Sequence, residues 1–338
     1  MNYPAKWWSR IANSRIKCEL CPRYCKLRHN QTGYCGVRDN IDGGLFLTTY
    51  SKVTGLAVDP IEKKPLYHFL PGSNVLSFGT AGCNLGCKFC QNWEMSTASV
   101  DHIRSQDATP EQIVALALKK GCKSIAYTYN EPTIFAEFVI DTSKLAREHG
   151  IKNVMVTNGY ITPEARSDVY EFIDAANVDI KSFSETFYHK LTAAHIEPVK
   201  TTIEWLVNKT DVWVELTTLI IPGQNDTEDE IEHLVGWIID KCGNRVPLHF
   251  SVFHPAHKMN DIPRTPDESL LLARKIAIES GIRHVYLGNV HDTTGHTTFC
   301  PVCKHKLISR GWMNTGRIDL DNGMCSCGEV LDGVWEID

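Results

Sequence analysis

The chain has 338 residues, of which 43% are hydrophobic and 22% are charged. This composition is typical of a folded globular protein and excludes disordered and fibrous classes. The formal net charge of −5 argues against a strongly basic surface, and with it against the simplest kind of nucleic-acid binder. There is no run of 18 apolar residues and no apolar segment near the N-terminus, so we expect no membrane span and no secretory signal.

The 13 cysteines are the unusual feature of the composition. Without a secretory signal, a disulfide framework is not expected, and clustered cysteines in a reducing cytoplasm usually bind metal ions or iron–sulfur clusters. We therefore expect a cytoplasmic, metal-binding protein. The three clusters are Cys18, Cys21, Cys25 and Cys35; Cys83, Cys87 and Cys90; and Cys300, Cys303, Cys325 and Cys327. They predict a Cys-rich head at 1–45, a connector at 46–72, a central region at 73–295 and a Cys-rich tail at 296–338.

The central region alternates short β-branched or apolar runs with segments of helical spacing. The predicted strands are 75–78, 124–129, 153–157, 178–181, 212–221, 248–253 and 284–287. The predicted helices are 110–120, 134–149, 163–176, 199–208, 227–241 and 266–280. Repeated strand–helix units predict an α/β fold with a parallel sheet, and six or seven units are fewer than the eight of a full barrel. We therefore predict a partial (β/α)6 TIM-like barrel with Cys-rich extensions at both ends.

Ligands of such folds bind at the carboxyl ends of the strands. The residues that follow the predicted strands are mostly polar, Cys, Gly or Pro, which predicts a site assembled from several strand ends. These segments are 79–83, 130–132, 158–159, 179–181, 222–223 and 254–255. Lys63 and Lys64, beside Glu62, are candidates for an anion-binding site, but we expect them in a solvated turn.

Cys83, Cys87 and Cys90 follow the first predicted strand with the spacing C-x3-C-x2-C. Three thiolates without a nearby histidine do not complete a tetrahedral zinc site, although a distant fourth ligand would. Three thiolates can instead hold three irons of a [4Fe–4S] cluster. The fourth iron is then open to a ligand that carries an amine and a carboxylate.

This motif, with Phe89 as the aromatic residue before the last cysteine, resembles the signature of radical S-adenosylmethionine (SAM) enzymes. The resemblance implies that SAM binds the open iron and is reductively cleaved to a 5′-deoxyadenosyl radical. That radical takes hydrogen from a substrate, which is a small molecule or a protein glycine. The electron donor implied is a ferredoxin or a flavodoxin.

Further strand-end residues resemble SAM-binding motifs of the glycyl-radical activase branch. Glu131 and Pro132 match a Gly-Gly-Glu-Pro-like motif, so the resemblance implies that Asn130 and Glu131 orient the SAM amine. The other residues implied in SAM contacts are Thr157, Asn158, Asp179, Lys181 and His254. Considered without the resemblance, the favoured reading of Asp179 and Lys181 is an ordinary ion pair, and that of His254 is a rim histidine.

Nearly the whole chain resembles the radical SAM member of the AmmeMemoRadiSam system. The matching stretches are CELCPRYC at 18–25, GYCGVR at 33–38, DPIEKKPLYHFLPG at 59–72, GTAGCN at 79–84, CQNW at 90–93 and YNEP at 129–132. This resemblance implies a cytoplasmic protein that works with the two partner proteins of that system. It does not identify the substrate.

The head and tail clusters leave the choice of metal open. Four head thiolates fit a second iron–sulfur cluster or a zinc ion, and the spacing is neither that of paired zinc knuckles nor that of ferredoxins. The tail resembles a zinc ribbon or rubredoxin, with zinc or iron as the metal. Because its second knuckle is a short C-x-C, His296 or His305 is a candidate substitute ligand.

Two other functions compete with radical SAM chemistry. One is an iron–sulfur electron-transfer protein without SAM chemistry, which the Glu131–Pro132 match opposes. The other is a radical SAM enzyme that modifies RNA and binds it through a zinc-ribbon tail, which the acidic composition opposes.

Overall fold

The computed structural model describes residues 2–290, 293–311 and 314–335. The head forms two small antiparallel sheets, with strand orders β1-β6-β5 and β2-β3-β4. Their strands are β1 (Tyr3–Pro4), β2 (Trp8–Ile11), β3 (Arg15–Cys18), β4 (Lys26–Leu27), β5 (Arg38–Ile41) and β6 (Gly44–Leu47). Strand β7 (Lys52–Pro60), in the connector, leads into the central sheet.

The central sheet has nine strands in the order β15-β14-β13-β12-β11-β10-β8-β7-β9. The new strands are β8 (Asn74–Gly79), β9 (Gln106–Asp107), β10 (Ser124–Tyr127), β11 (Lys152–Thr157), β12 (Ala175–Asp179), β13 (Trp213–Ile220), β14 (Leu248–Val252) and β15 (Val285–Gly288). Strands β8 and β10 to β15 pair in parallel, whereas β7 runs antiparallel to β8 and β9 antiparallel to β7. The partial barrel therefore has seven parallel strands, which agrees with the six or seven strand–helix units predicted from the sequence.

Nine helices accompany the strands in the described part of the chain. They are α1 (Trp93–Ser96), α2 (Pro110–Lys119), α3 (Ala136–Glu148), α4 (Pro163–Tyr170), α5 (Glu185–Phe187), α6 (Ile196–Lys209), α7 (Glu228–Cys242), α8 (Asp267–Glu279) and α9 (Thr293–His296). Helix α2 begins at a capping box, in which Thr109 accepts from the Gln112 N–H and the Gln112 side chain accepts from the Thr109 N–H. None of the described helices is long and apolar enough to cross a membrane.

The core lies between the central sheet and its helices. All four residues of β10 are buried, as expected for a parallel strand that is covered on both faces. Each long helix contributes an apolar stripe, such as Phe138, Val139 and Ala146 of α3.

The connector fills the barrel end that lies opposite the strand-end loops. Glu215, near the start of β13, is buried and accepts hydrogen bonds from the N–H groups of Tyr67 and His68 at 3.0 and 2.7 Å. The tail sheet packs against the connector at this end of the barrel. Its strands are β16 (Thr298–Phe299), β17 (Lys306–Arg310) and β18 (Thr315–Ile318). Arg310 attaches the tail to the connector, because its guanidinium donates to the Tyr67 carbonyl at 2.6 Å.

Candidate functional site

A cavity of about 380 Å³ lies at the carboxyl ends of β8, β10, β11 and β12. It brings together all three cysteines of the middle cluster and all but one of the residues predicted to contact SAM. The predicted residues that line it are Cys83, Cys87, Cys90, Asn130, Glu131, Thr157, Asn158, Asp179 and Lys181. His254 is the exception, since it is exposed after β14 and is not part of the cavity wall.

The three cysteines lie on the loop that follows β8. Burial raises the pKa of the Cys83 thiol well above its ordinary value, and the Cys87 thiol and the Glu131 carboxylate raise it further. Burial also raises the pKa of Cys87 to about 12, although the Lys181 ammonium opposes the shift. Without a metal the Cys83 and Cys87 thiols therefore stay protonated at neutral pH, and metal binding must displace their protons.

The side chain of Asn130 fixes this loop. Its Oδ1 accepts from the Thr80 N–H at 3.2 Å, and its Nδ2 donates to the Gly82 carbonyl at 2.8 Å. Because the amide is engaged with the backbone on both sides of Ala81, Asn130 joins the end of β10 to the start of the cysteine loop.

Glu131 joins the ends of β10 and β11. Its Oε1 accepts from the Thr133 N–H, the Thr133 hydroxyl and the Thr157 hydroxyl at 3.0, 2.6 and 2.7 Å. Its Oε2 accepts from the Asn158 N–H at 2.7 Å, which leaves acceptor capacity on that oxygen. Burial raises the pKa of Glu131, and these hydrogen bonds act in the opposite direction.

Asp179 and Lys181 form an ion pair in the cavity wall, with 2.9 Å between Lys181 Nζ and Asp179 Oδ2. Burial alone would lower the pKa of Lys181, but the Asp179 carboxylate and the Cys87 thiol outweigh burial and raise it. The pair therefore presents a fixed positive and a fixed negative charge next to the thiols.

The prediction of a solvated turn is wrong for Lys64. Its side chain is only 3% exposed, lines the cavity, and pairs with Asp59 at 2.8 Å. Lys63 binds the other oxygen of the same carboxylate at 2.8 Å, and the Tyr129 hydroxyl also donates to Asp59, at 3.1 Å. This part of the cavity was not predicted from the sequence, because the connector is separate from the cysteine loop along the chain and lies next to it only in the folded protein.

The three thiols of the cavity fit a cluster better than a single metal ion. A tetrahedral zinc ion with Zn–S bonds of about 2.3 Å holds its sulfurs roughly 3.8 Å apart. Across the described residues, the tail is the one place where three or more candidate metal-ligand atoms all lie within 4.8 Å of one another. Cys83, Cys87 and Cys90 share one cavity but do not converge that closely. Wider separation suits a cubane, in which each thiolate binds a different iron.

The four tail thiols form a compact group that could bind one metal ion. Cys300 Sγ and Cys327 Sγ lie 3.6 Å apart, as do Cys303 Sγ and Cys325 Sγ. The short C-x-C knuckle therefore needs no histidine substitute.

The two histidines considered as substitutes have other partners. His296 contacts the Tyr67 hydroxyl and the Val290 carbonyl at 3.1 and 2.9 Å. His305 contacts Asp319 at 2.7 Å. Neither belongs to the group of tail ligands.

Comparison with known proteins agrees with this geometry. The model of the radical SAM superfamily matches residues 78–238, which include the cysteine loop and the Glu131 motif. The chain is 44% identical to the uncharacterized protein MJ0808 of Methanocaldococcus jannaschii, over 98% of this chain and 99% of that protein. It is 24% identical to the putative glycyl-radical enzyme activating enzyme MJ1632 of the same organism, over 64% of this chain and 80% of that protein.

A solved structure shares the fold at low sequence identity. SuiB of Streptococcus suis, bound to S-adenosylmethionine, matches with a TM-score of 0.52 and 13% identity, over 71% of this chain and 56% of that one. The superfamily model, the near full-length relative and the cavity of thiols at the strand ends lead to one conclusion: this chain belongs to the radical SAM superfamily.

Proposed function

We propose that Cys83, Cys87 and Cys90 hold a [4Fe–4S] cluster whose open iron faces the strand-end cavity and binds SAM. When bound, the cluster supplies the electron that cleaves SAM to methionine and a 5′-deoxyadenosyl radical. One observation carries the proposal: three thiols that do not all lie within 4.8 Å of one another share one cavity with Glu131, Asn158 and the Asp179–Lys181 pair.

The residues around the thiols suit the charges of SAM. The acceptor capacity left on Glu131 Oε2 suits the methionine ammonium, and the Lys181 ammonium suits the methionine carboxylate. Thr157 and Asn158 reach the same wall and complete the set of polar contacts. His254, which is exposed outside the cavity, would reach SAM or substrate only at the cavity rim.

We propose that the chain works in the cytoplasm within the AmmeMemoRadiSam system, with its two partner proteins and a ferredoxin or flavodoxin as electron donor. The motifs at 59–72 and 79–84 support this assignment. The tail at 296–338 is proposed to bind zinc, because its sulfur spacing of 3.6 Å matches one tetrahedral ion. The similarity to activating enzymes supports a protein glycine as the hydrogen donor, and a small molecule is the other class of substrate.

The test is anaerobic reconstitution followed by reduction with dithionite in the presence of SAM. We expect 5′-deoxyadenosine from the wild type and only background from Cys87→Ala. Cys242→Ala is the matched control, since this cysteine lies at the end of α7, outside all three clusters, and the variant should keep wild-type activity. Absence of product from protein with intact clusters and both partner proteins present would contradict the proposal.

The class of hydrogen donor has its own test. The partner proteins are produced with deuterated glycine, and the deuterium content of 5′-deoxyadenosine is measured by mass spectrometry. Deuterium in the product indicates a protein glycine, whereas unlabelled product indicates a small molecule or another residue.

A further inference from the structure

The four head cysteines lie in neighbouring turns of the head. Cys18 ends β3, and its N–H donates to the Cys25 carbonyl at 2.9 Å. The Tyr34 N–H, next to Cys35, lies 3.5 Å from Cys25 Sγ. The Tyr24 N–H, next to Cys25, donates to the Cys21 carbonyl at 3.1 Å. The head therefore brings its four cysteines into neighbouring turns, with Cys18 buried and the other three half-buried.

The spacing of these thiols differs from that of the tail. All four tail sulfurs lie within 4.8 Å of one another, whereas no three of the head sulfurs do, although 18–35 lies fully within the described residues. The head thiols are therefore more widely separated than the tail thiols, as the cavity thiols are. Four separated thiolates match the four irons of a cubane, whereas one zinc ion would draw its four ligands together.

The head cluster lies directly against the cysteine loop of the cavity. The Cys35 carbonyl contacts Gly82, which precedes Cys83, so closely that a Cβ at Gly82 would overlap it. Arg23 donates to the carbonyl of Asn84, and its guanidinium stacks on the Tyr34 ring at 3.3 Å. The two groups of thiols therefore lie on loops whose backbones touch.

We propose that Cys18, Cys21, Cys25 and Cys35 hold a second [4Fe–4S] cluster, which transfers electrons to the cavity cluster. Four thiolates occupy all four irons, so this cluster has no open position for SAM or substrate. It accepts one electron from a reduced ferredoxin or flavodoxin and passes one electron to the cavity cluster, without making or breaking a bond. This role rests on the proposed function, whereas the identity of the metal does not.

The metal is tested in full-length protein that lacks the cavity ligands, the variant Cys83→Ala/Cys87→Ala/Cys90→Ala, purified without oxygen. We expect about four iron and four sulfide per chain to remain, with about one zinc from the tail. About two zinc and no iron would overturn the proposal. The complementary variant Cys21→Ala should lose about half of the wild-type iron and keep its zinc. Loss of zinc from it instead of iron would also overturn the proposal.

The electron-transfer role is tested on the same cavity-ligand variant. Addition of reduced flavodoxin should produce the electron paramagnetic resonance signal of a reduced [4Fe–4S] cluster, which in this variant comes from the head alone. A head cluster that dithionite reduces but flavodoxin does not would overturn the electron-entry role. Because this variant cannot bind the cavity cluster, its result is independent of whether the wild type cleaves SAM.

Discussion

Replacing Glu131 with Gln tests whether one carboxylate holds the SAM-binding end of the barrel together. The substitution keeps the shape of the side chain and removes its charge. The glutamine oxygen can take the place of Oε1 and accept the three bonds from Thr133 and Thr157. Its Nε2 then faces the Asn158 N–H, so that two donors meet where a 2.7 Å hydrogen bond stood.

The magnitude follows from that lost bond. A hydrogen bond to a charged group contributes about 1.5–3 kcal/mol, and about 1.4 kcal/mol corresponds to tenfold in affinity. Since Asn158 lines the cavity, we expect Glu131→Gln to weaken SAM binding by roughly 10- to 150-fold. Thr133→Val removes one hydroxyl donor and keeps the charge, so its loss of about 0.5–1.5 kcal/mol predicts roughly 2- to 13-fold weaker binding.

The assay is equilibrium dialysis of labelled SAM against anaerobically reconstituted protein. Iron and sulfide are measured in each sample, which separates a weakened SAM site from loss of the cluster. The order wild type, Thr133→Val, Glu131→Gln should appear in the dissociation constants at equal iron content. If Glu131→Gln bound SAM as tightly as the wild type, the carboxylate would not be what positions the site.

Four further predictions concern Glu131, the Arg38–Glu137 pair, Gly82 and the tail thiols. Burial raises the pKa of Glu131 above 4.5, so the contribution of this residue to the free energy of unfolding should be fully present below about pH 4.5 and be lost as pH rises through the folded-state pKa. Urea denaturation of the wild type and of Glu131→Gln from pH 4 to 7 should therefore show the difference between their free energies of unfolding falling with pH. Arg38→Met leaves Glu137 buried without its 2.5 Å partner and should cost about 3–5 kcal/mol, most of which Arg38→Met/Glu137→Met should recover in the same assay. Gly82→Ala, at φ +85° and against the head backbone, should loosen the head and speed its cleavage in limited proteolysis. Cys303→Ala should lose about one zinc per chain without loss of iron, as measured by elemental analysis.

The central barrel could be predicted from the sequence because its strands are buried on both faces. Such strands appear as short continuous apolar runs, and all seven predicted runs overlap parallel strands of the barrel, although 178–181 shares only its first two residues with β12. The predicted helix at 163–176 shows the limit of periodicity, since α4 ends at Tyr170. The following turn is fixed by Asp174, whose carboxylate accepts from the Asn153 N–H at 2.8 Å. This tertiary contact between distant segments overrides the local helical pattern.

The cavity was only partly predictable, for a related reason. Cys83, Glu131 and Asn158 follow strands directly, so the topology alone brings them to one edge of the sheet. Lys64 comes from the connector, and its charge makes a buried position improbable until its partner Asp59 on β7 is known. Ion pairs between segments of an irregular connector leave no periodic signal in a sequence.

The two Cys-rich ends of the chain contact opposite ends of the barrel, and this separates their roles. The head touches Gly82 and Asn84 at the strand-end cavity, so the cluster proposed for the head would act directly on the cysteine loop. The tail is attached through Arg310 to the connector, whose N–H groups bind the buried Glu215 carboxylate near the start of β13. A buried carboxylate is tolerated only while its donors stay in place, so loss of the tail metal should first destabilise that end of the barrel. The head metal is therefore expected to affect electron supply, and the tail metal to affect stability.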